Sequence, residues 1–321
     1  MSYILAADLG GTKIASAVVN TAEGTVSANY SRPTPASEGS AAVARRGGGA
    51  EVVAAIIEAL SHAKDAAEAE GITQIQAIGI SAAGVIDPKR GTVISATDLI
   101  KGWAGTEIAK QVKAAFNTEV FVLNDVHAHA LGEATLGAGK DYSSILAAAV
   151  GTGMGGGLVI DGQVQFGAHC AAGHIGHLPH PLAAGLTCSC GAKGHIETVA
   201  SGSGQVELYN RDKPANLPRA QSGREITERA LKGEAWATQV IYDSGYALGQ
   251  TLAGICNLAD PQAIIVSGSV THSGKQWWQA VTAGFQADAL TPVKNTPLIS
   301  GTLGGNAPLI GAAIWANTNL G

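Results

Sequence analysis

Histidines and cysteines are concentrated in one short segment of the chain. The segment HIGHLPHPLAAGLTCSCGAKGHIE begins at His174, ends at Glu197, and holds four of the nine histidines and two of the four cysteines. Two thiolates and two imidazoles form the ligand set of a closed, tetrahedral Zn²⁺ site, which leaves no open position for a reactant. We therefore expect a structural zinc ion, and its predicted ligands are His177, Cys188, Cys190 and His195.

Two glycine-rich turns are each suited to a phosphate group. The first follows Asp8 in the stretch DLGGTK, and the second is GTGMGGG. In such a turn, backbone N–H groups and a threonine hydroxyl can face an anion without obstruction from side chains. The residues expected to bind phosphate are Gly10, Gly11, Thr12 and Lys13 in the first turn, and Gly151, Thr152 and Gly153 in the second. Asp8 is expected to hold Mg²⁺ through water.

Both turns belong to an internal repeat. Ile4–Val19 aligns with Ile145–Ile160 without a gap, and each copy consists of a short apolar run, the turn and a second apolar run. This order predicts a β-hairpin in each half of the chain. A single glycine turn is most often an ordinary hairpin, whereas two in matching positions can hold the β- and γ-phosphates of a nucleotide from the two sides of a cleft.

A carboxylate suited to proton transfer follows the short strand predicted at Val120–Leu123. Asn124 and Asp125 would then lie at the carboxyl end of that strand, where α/β folds bind their ligands. There Asp125 can take the proton of a sugar hydroxyl as the hydroxyl attacks the γ-phosphate. The alternative is an Asx turn or a helix cap before His127.

The elements that must position these residues alternate between strands and helices. Further short strands are predicted at 76–81 and 263–266. One helical face is marked by Val52, Val53, Ile56, Ile57 and Leu60, and another by Val240, Ile241, Leu248, Leu252 and Ile255. This alternation predicts an α/β fold in each half.

The domain boundary is expected shortly before the strand that leads to Asp125. We place a small N-terminal lobe at residues 1–118 and a larger C-terminal lobe at 119–321, with a last helix at 309–316 that packs back on the first lobe. Pro33–Gly49 is poor in large apolar residues and is predicted to be a mobile loop.

Composition excludes several classes of protein. The 321 residues include 20 Lys and Arg and 25 Asp and Glu, a net charge of −5, and offer no basic face for nucleic acid. No apolar run approaches the roughly 18 residues of a membrane span, and the first residues lack the cationic start of a signal peptide. Four cysteines in so long a chain indicate a reducing compartment. We therefore expect a cytoplasmic protein with small-molecule partners, and neither nucleic acid nor membrane. His169, His180 and His272 are expected to be surface histidines or to be satisfied by neighbouring groups.

Together these motifs resemble one family of sugar kinases. DLGGTK, a strand ending in LND, VGTGMGGGLVIDG, a GHIGH segment, CSCGAKGHIE and SGSV occur in this order between residue 4 and about residue 316. The set is similar to that of the ROK family (repressor, open reading frame, kinase). The resemblance implies an actin-like, hexokinase-like duplication of a ribonuclease-H-like α/β domain, with two lobes around a cleft. It also implies transfer of the γ-phosphate of ATP to a hexose or N-acetylhexosamine, with ATP, Mg²⁺ and structural Zn²⁺ as cofactors and a homodimer as the assembly.

The roles of single residues follow from the resemblance where the motifs match. Asp125 is implied as the catalytic base, Asn124 as a ligand of the sugar hydroxyls, and Gly268 as a residue of the adenosine side. The other sugar-binding residues implied are Ala83, Gly84, His174, His177 and Glu197. The zinc ion would then act as a clip that holds the sugar-binding residues at the two ends of its segment.

The chain departs from the family pattern at several of these positions. His195 stands where the fourth zinc ligand is usually Cys. The Ala82-Ala83-Gly84 stretch occupies a loop where many relatives have Pro-Gly, and Asp98 stands where Asn is common. Next to Gly268, serine replaces one glycine of the usual pair.

The kind of sugar is predicted from His174. In the ROK pattern this position, three residues before the zinc histidine, is commonly Glu, whose carboxylate only accepts hydrogen bonds and suits a pair of sugar hydroxyls. An imidazole N–H can instead donate to the carbonyl of an N-acetyl group, and His174 within GHIGH is similar to the bacterial N-acetylmannosamine kinases. We therefore expect phosphorylation of the 6-hydroxyl of N-acetylmannosamine. The alternatives are a glucokinase or another ROK hexokinase, with His174 packing beside the metal.

Two other functions are weighed against kinase activity. ROK repressors carry a DNA-binding winged helix before the first glycine turn, whereas only seven residues precede Asp8. A non-catalytic sugar sensor has no need of Asp125 or of two phosphate turns. We therefore expect an enzyme, and the choice between ATP and polyphosphate as donor stays open at this point.

Overall fold

The structure is a computed structural model that describes residues 2–35, 48–97 and 100–320. Residues 36–47, which make up most of the predicted mobile loop, and Asp98 lie outside the described residues. The strands are β1 (Tyr3–Leu9), β2 (Lys13–Asn20), β3 (Thr25–Pro33), β4 (Ile75–Ala82), β5 (Val85–Asp87), β6 (Thr92–Ser95), β7 (Val120–Asn124), β8 (Ser144–Val150), β9 (Met154–Ile160), β10 (Gln163–Val164), β11 (Ala263–Ser267) and β12 (Leu298–Ser300). The helices are α1 (Gly49–Ala69), α2 (Ile108–Phe116), α3 (Asp125–Thr135), α4 (Glu197–Ala200), α5 (Gly202–Asp212), α6 (Gly223–Leu231), α7 (Ala235–Ala259), α8 (Lys275–Asp288) and α9 (Ala307–Asn319). Within the described ranges, no helix combines the length and hydrophobicity that crossing a bilayer requires.

Contacts between residues divide the chain into two units. The first consists of Met1–Lys140, Gly162–Ala172 and Gly305–Gly321, and the second of Asp141–Asp161 and Gly173–Gly304. Each unit contains a main β-sheet with both parallel and antiparallel strand pairs, together with helices and a buried apolar cluster. The α/β fold predicted for each half is therefore confirmed.

The sheet of the first unit has the strand order β3-β2-β1-β4-β7. β1 is antiparallel to β2 and parallel to β4, and β4 is parallel to β7. The carboxyl ends of β1, β4 and β7 therefore meet at one edge of this sheet, which is where ligands bind in such folds. Helix α1 packs on β2 and β3, and α9 packs on β4 and α3 within the same unit.

The predicted apolar face of α1 is buried. Val52, Val53, Ile56 and Leu60 are each at most 1% exposed, while Ile57 is only half-buried. Burying an aliphatic side chain of this size contributes about 1.5–3 kcal/mol. This face therefore holds α1 on the sheet that carries the first glycine turn.

The sheet of the second unit includes β9, β8, β11 and β12 in that order. β8 is antiparallel to β9 and parallel to β11, which is parallel to β12. The long helix α7 packs on α8, and it buries four of the five apolar residues predicted for its face, with Ile255 half-buried. The predicted second hairpin is thus confirmed as β8 and β9.

The two hairpins differ by one residue in their turns. In the first, Leu9 pairs with Ile14, so four residues separate the last pair. In the second, Val150 pairs with Met154, so only three residues separate it. The gapless alignment of the repeat is therefore correct for the first strand of each copy. For the second strand it is shifted by one residue.

The division into units does not fall at Thr118, where we expected it. β7 pairs in parallel with β4, with Ala82 opposite Asn124, so Asp125 belongs to the first unit rather than to the C-terminal one. We had expected the strand after Thr118 to start a new domain. The unit to which this strand belongs depends on its pairing with a strand far away in the sequence, which the local pattern does not show.

Candidate active site

An acidic pair lies at the carboxyl ends of the parallel strands in the first unit. Asp8 is opposite Ser81 in the register of β1 and β4, and the Ser81 hydroxyl donates to Asp8 Oδ1 at 2.6 Å. Burial raises the pKa of Asp8 to about 6; the Ser81 hydrogen bond lowers this pKa, and the charge of Asp125 raises it. The carboxylates of Asp8 and Asp125 repel each other, and carboxylate oxygens are preferred ligands of a divalent cation. Asp8 is therefore suited to the predicted role of holding Mg²⁺. Ser81 was not predicted.

Asp125 is the first residue of α3 and directly follows β7. Its Oδ1 accepts hydrogen bonds from the Asn124 amide at 2.8 Å and from the Val126 N–H at 3.0 Å. Both of these bonds go to Oδ1, and neither engages Oδ2, the oxygen suited to take the proton of a substrate. Burial raises the pKa of Asp125 to about 6, and hydrogen bonds from Val126, from its own amide and from Asn124 lower it. Such a carboxylate is ionised at pH 7 and more basic than an ordinary aspartate, as a general base should be.

Asn124 also forms the helix cap that we considered as the alternative. Its Oδ1 accepts from the N–H groups of Val126 at 3.1 Å and His127 at 3.3 Å. Its amide donates to Gly84 O and to Asp125 Oδ1, both at 2.8 Å. These bonds use both donors and both acceptor positions of the side chain. Asn124 therefore orients the base, and it must exchange one of these bonds to bind a sugar; its role as a sugar ligand stays a prediction.

The predicted sugar loop is held by its two carbonyls. Gly84 O accepts from Asn124, and Ala83 O accepts from the indole N–H of Trp103 at 2.8 Å. Trp103 is only 2% exposed, so its ring is part of the core beneath the loop. Trp103 was not predicted, because a lone tryptophan in the irregular stretch KGWAG has no periodic pattern.

The first glycine turn presents free backbone donors. Gly10 O accepts from the Thr34 hydroxyl at 3.0 Å, and Thr12 O accepts from the Thr34 N–H at 3.1 Å. The N–H groups of Gly11 and Thr12 donate to no other residue among those described. Since the carbonyls of Gly10 and Thr12 are satisfied inside the unit and these N–H groups have no acceptor among the described residues, the turn is suited to an anion, and its binding of phosphate stays a prediction.

The second glycine turn is built in the same way within the second unit. Gly151 O accepts from the N–H of Gly202 at 2.8 Å, and Thr152 O accepts from the Ser203 hydroxyl at 2.7 Å. In the described part of the chain, neither the Thr152 nor the Gly153 N–H has an acceptor. Both turns of the repeat therefore leave a pair of N–H groups for a phosphate.

A cavity of about 570 Å³ opens beside the second turn. Residues that line it include Thr152, Ser203, Gly223, Arg224, Glu228 and His272. Gly268 lies against the end of β8: its φ is +101°, and a Cβ there would lie 2.3 Å from Val150 O, so no other residue fits without strain. The volume is that of a small-ligand site. His272, which we expected to be a surface histidine or to be satisfied by neighbouring groups, is exposed, lies 3.3 Å from Ser269 O through its Nδ1, and also lines this cavity.

The four predicted metal ligands come together in the second unit. One ligand atom each of His177, Cys188, Cys190 and His195 lies within 4.8 Å of all the others. Cys188 Sγ lies 3.5 Å from His177 Nδ1, and Cys190 Sγ lies 3.3 Å from His195 Nδ1. Neighbouring ligands of a tetrahedral zinc ion are about 3.3–3.8 Å apart, so these two Cys–His pairs match the spacing, and the donor set of two thiols and two imidazoles fits Zn²⁺. His177 faces Cys188 through its Nδ1, and its binding of a sugar stays a prediction.

The two ends of the zinc segment are positioned by different contacts. His174 precedes a 3₁₀ turn, Ile175–His177, and its ring is stacked at 6.1 Å from that of His177. Glu197 begins α4, and its carboxylate accepts from the N–H of Met154 and from the Ser189 hydroxyl, both at 3.0 Å. The two residues therefore lie in one unit with the metal cluster, and their binding of a sugar stays a prediction.

Comparison with known proteins places the chain. The model of the ROK family matches residues 4–319. The chain belongs to the ROK family. It is 29% identical over 330 residues to the glucokinase of Streptomyces coelicolor, covering 98% of this chain and 97% of that protein. It is 30% identical over 320 residues to the N-acetylmannosamine kinase of Yersinia pseudotuberculosis, covering 98% and 99%.

A solved structure supports the same assignment. The ROK family glucokinase of Streptomyces griseus, in complex with glucose and AMPPNP, superposes with a TM-score of 0.81 at 29% identity, covering 99% of this chain and 100% of that one. This ROK protein therefore has the actin-like α/β architecture with two sheets that the resemblance implied, and it is a sugar kinase with an ATP-binding fold.

Proposed function

We propose that this ROK protein transfers the γ-phosphate of ATP to the 6-hydroxyl of N-acetylmannosamine. The relatives do not favour one sugar, since the glucokinase is 29% identical and the N-acetylmannosamine kinase 30%. The observation that carries the proposal is His174, three residues before the metal ligand His177. A histidine there can donate a hydrogen bond to an acetamide carbonyl. A glutamate carboxylate would instead place one hydrogen-bond acceptor opposite another, the carbonyl oxygen. A glucokinase is the second candidate, supported by the similarity to the Streptomyces enzymes.

Asp125 takes the proton of the 6-hydroxyl in this proposal. Its Oδ1 is held by Asn124 and Val126, so Oδ2 receives the proton as the sugar oxygen attacks the γ-phosphate. A positioned general base contributes about 10²–10⁴-fold to the rate. In each unit, the N–H groups left open in the glycine turn are suited to phosphate oxygens, whose charge they offset. Mg²⁺, when bound, would neutralise phosphate charge, and Asp8 would hold it through water.

ATP is the proposed donor because of the cavity in the second unit. Its volume of about 570 Å³ suits a nucleoside, and its charged lining residues are one arginine, Arg224, and one glutamate, Glu228, beside hydroxyls and amides. A polyphosphate chain would require a row of cationic side chains instead. Rates with ATP and with polyphosphate as alternative donors test this step, and faster turnover with polyphosphate would contradict it.

A substrate panel tests the choice of sugar. Phosphorylation of N-acetylmannosamine, N-acetylglucosamine, mannose and glucose is measured with wild type and with His174→Glu. We expect kcat/KM for N-acetylmannosamine to exceed that for glucose by at least about tenfold, and His174→Glu to shift the preference toward unsubstituted hexoses. His169→Glu, the same change at an exposed histidine, is the matched control and should leave the preference unchanged.

A preference of the wild-type enzyme for glucose would refute the assignment and support the glucokinase. An unchanged preference in His174→Glu would show that His174 packs beside the metal without contacting the substrate. The homodimer implied by the resemblance stays a prediction, and light scattering of the purified protein tests it.

A further inference from the structure

The carboxylate of Glu197 contacts two separate segments of the second unit. Its Oε2 accepts from the backbone N–H of Met154 at 3.0 Å, directly after the second glycine turn. Its Oε1 accepts from the Ser189 hydroxyl at 3.0 Å and lies 3.6 Å from Cys188 Sγ. One side chain thus joins the glycine turn to the residue between the two cysteines of the metal cluster.

The turn depends on this contact at one of its ends. Its carbonyls are held by residues 202 and 203, which follow α4 and begin α5. Glu197 holds the opposite end, at the N–H of Met154, and it also stands directly against Gly153, where a Cβ would lie 2.9 Å from Oε2. The carboxylate therefore limits how far the turn can move, and a bond from an N–H to an ionised acceptor is stronger than one between neutral groups.

We propose that Glu197 is a positioning residue for the phosphate-binding turn and that Ser189 ties it to the metal segment. The proposal rests on the function proposed above, because it assigns the turn Gly151–Gly153 to the nucleotide phosphates. Glu197 then acts on nucleotide affinity before any sugar is bound. A residue that served the sugar alone would not affect ADP binding in the absence of sugar.

The choice of variants follows from the hydrogen bonds. Glu197→Ala removes both contacts. Glu197→Gln can keep both, since its carbonyl accepts from Met154 and its amide donates to the Ser189 hydroxyl, which can also act as an acceptor. Ser189→Ala cuts the connection to the metal segment and leaves the contact with Met154. Glu207→Ala removes an exposed carboxylate on α5 and is the matched control.

The experiment is calorimetric titration of each zinc-loaded protein with MgADP alone, without sugar. We expect Glu197→Ala to raise the Kd about tenfold, or about 1.4 kcal/mol. Glu197→Gln and Glu207→Ala should stay within about threefold of wild type. Ser189→Ala should raise the Kd about threefold in the wild-type background and not at all in Glu197→Ala, because both changes interrupt one connection. Metal analysis and circular dichroism confirm that every variant keeps its zinc and its fold.

Three results would overturn the inference: an ADP Kd in Glu197→Ala equal to wild type, no recovery in Glu197→Gln, or an equal effect of Ser189→Ala in both backgrounds. If Glu197→Ala does not fold, Ser189→Ala decides alone, and an unchanged Kd then overturns the connection. Failure of the wild-type protein to bind MgADP is a different result, because it would refute the proposed kinase function itself.

Discussion

Asp125→Asn is expected to inactivate the enzyme and to stabilise the unliganded protein. Loss of the base should lower kcat at least about 10²-fold. Folding raises the pKa of Asp125 from 3.8 to about 6, so the folded state binds its proton more tightly than the unfolded state does. The stability that this residue provides is therefore full below about pH 4 and is lost as the pH rises through about 6. The difference between the two pKa values corresponds to about 3 kcal/mol at pH 7, and asparagine avoids this cost.

Partial exposure of the Asp125 side chain reduces that figure, and we expect a gain of about 1–3 kcal/mol at pH 7. The gain should be about half as large at pH 5, since part of the carboxylate is protonated in the folded state there. Urea denaturation followed by tryptophan fluorescence at pH 7 and pH 5 measures it, together with kcat. Asp65→Asn, at an exposed position of α1, is the control and should change stability by less than about 0.5 kcal/mol. Near-normal turnover would remove Asp125 from the role of base. A variant less stable than wild type at pH 7 would refute the argument from burial.

Three further outcomes are expected. The base must be ionised and its pKa is about 6, so kcat/KM of the wild-type enzyme should fall about tenfold from pH 7 to pH 5. The fall should be about a hundredfold if Asp8 must be ionised as well. A kcat/KM that does not change with pH would contradict both expected values. Metal analysis should find one zinc ion per chain, lost in Cys190→Ser together with sugar affinity; protein purified without chelator that contains no zinc would refute the site. Trp103→Phe keeps a buried aromatic ring but removes the hydrogen bond to Ala83 O. We therefore expect KM for the sugar to rise about 3–10-fold while KM for ATP stays constant. An unchanged KM for the sugar would show that the predicted sugar loop does not need this hydrogen bond.

The local pattern was sufficient to predict the hairpins, the apolar helix faces and the ligand cluster. Each of these depends on residues close in sequence: the turn in DLGGTK, the spacing along α1, and the His and Cys residues of one segment. The place of β7 was not predictable in this way, since it follows from pairing with β4, about forty residues earlier in the chain. The same reason explains why Asp125 belongs to the first unit.

The candidate site shows a similar limit. The residues that face a ligand have types with obvious chemistry, such as Asp8 and Asp125. The residues that hold them do not: Ser81 is one serine in an apolar strand, and Trp103 one tryptophan in a loop. Their partners are fixed only when the sheet forms, so neither composition nor spacing identifies them. Asn124 belongs to both groups of residues, because its side chain was predicted to face a ligand and also supports the base. The same amide group caps α3 and orients Asp125.

The two glycine turns indicate which feature of the repeat matters for function. Their lengths differ by one residue, and their carbonyls are held by different partners: a threonine after β3 in the first turn, and the start of α5 in the second. In each turn two carbonyls are satisfied within the unit, and two N–H groups have no acceptor among the residues that the structure describes. A hairpin that served only to connect strands would gain nothing from exposing donors in this way. The common property of the two turns is thus the one that a phosphate requires, and it is preserved although the sequences and the supporting contacts around it have diverged.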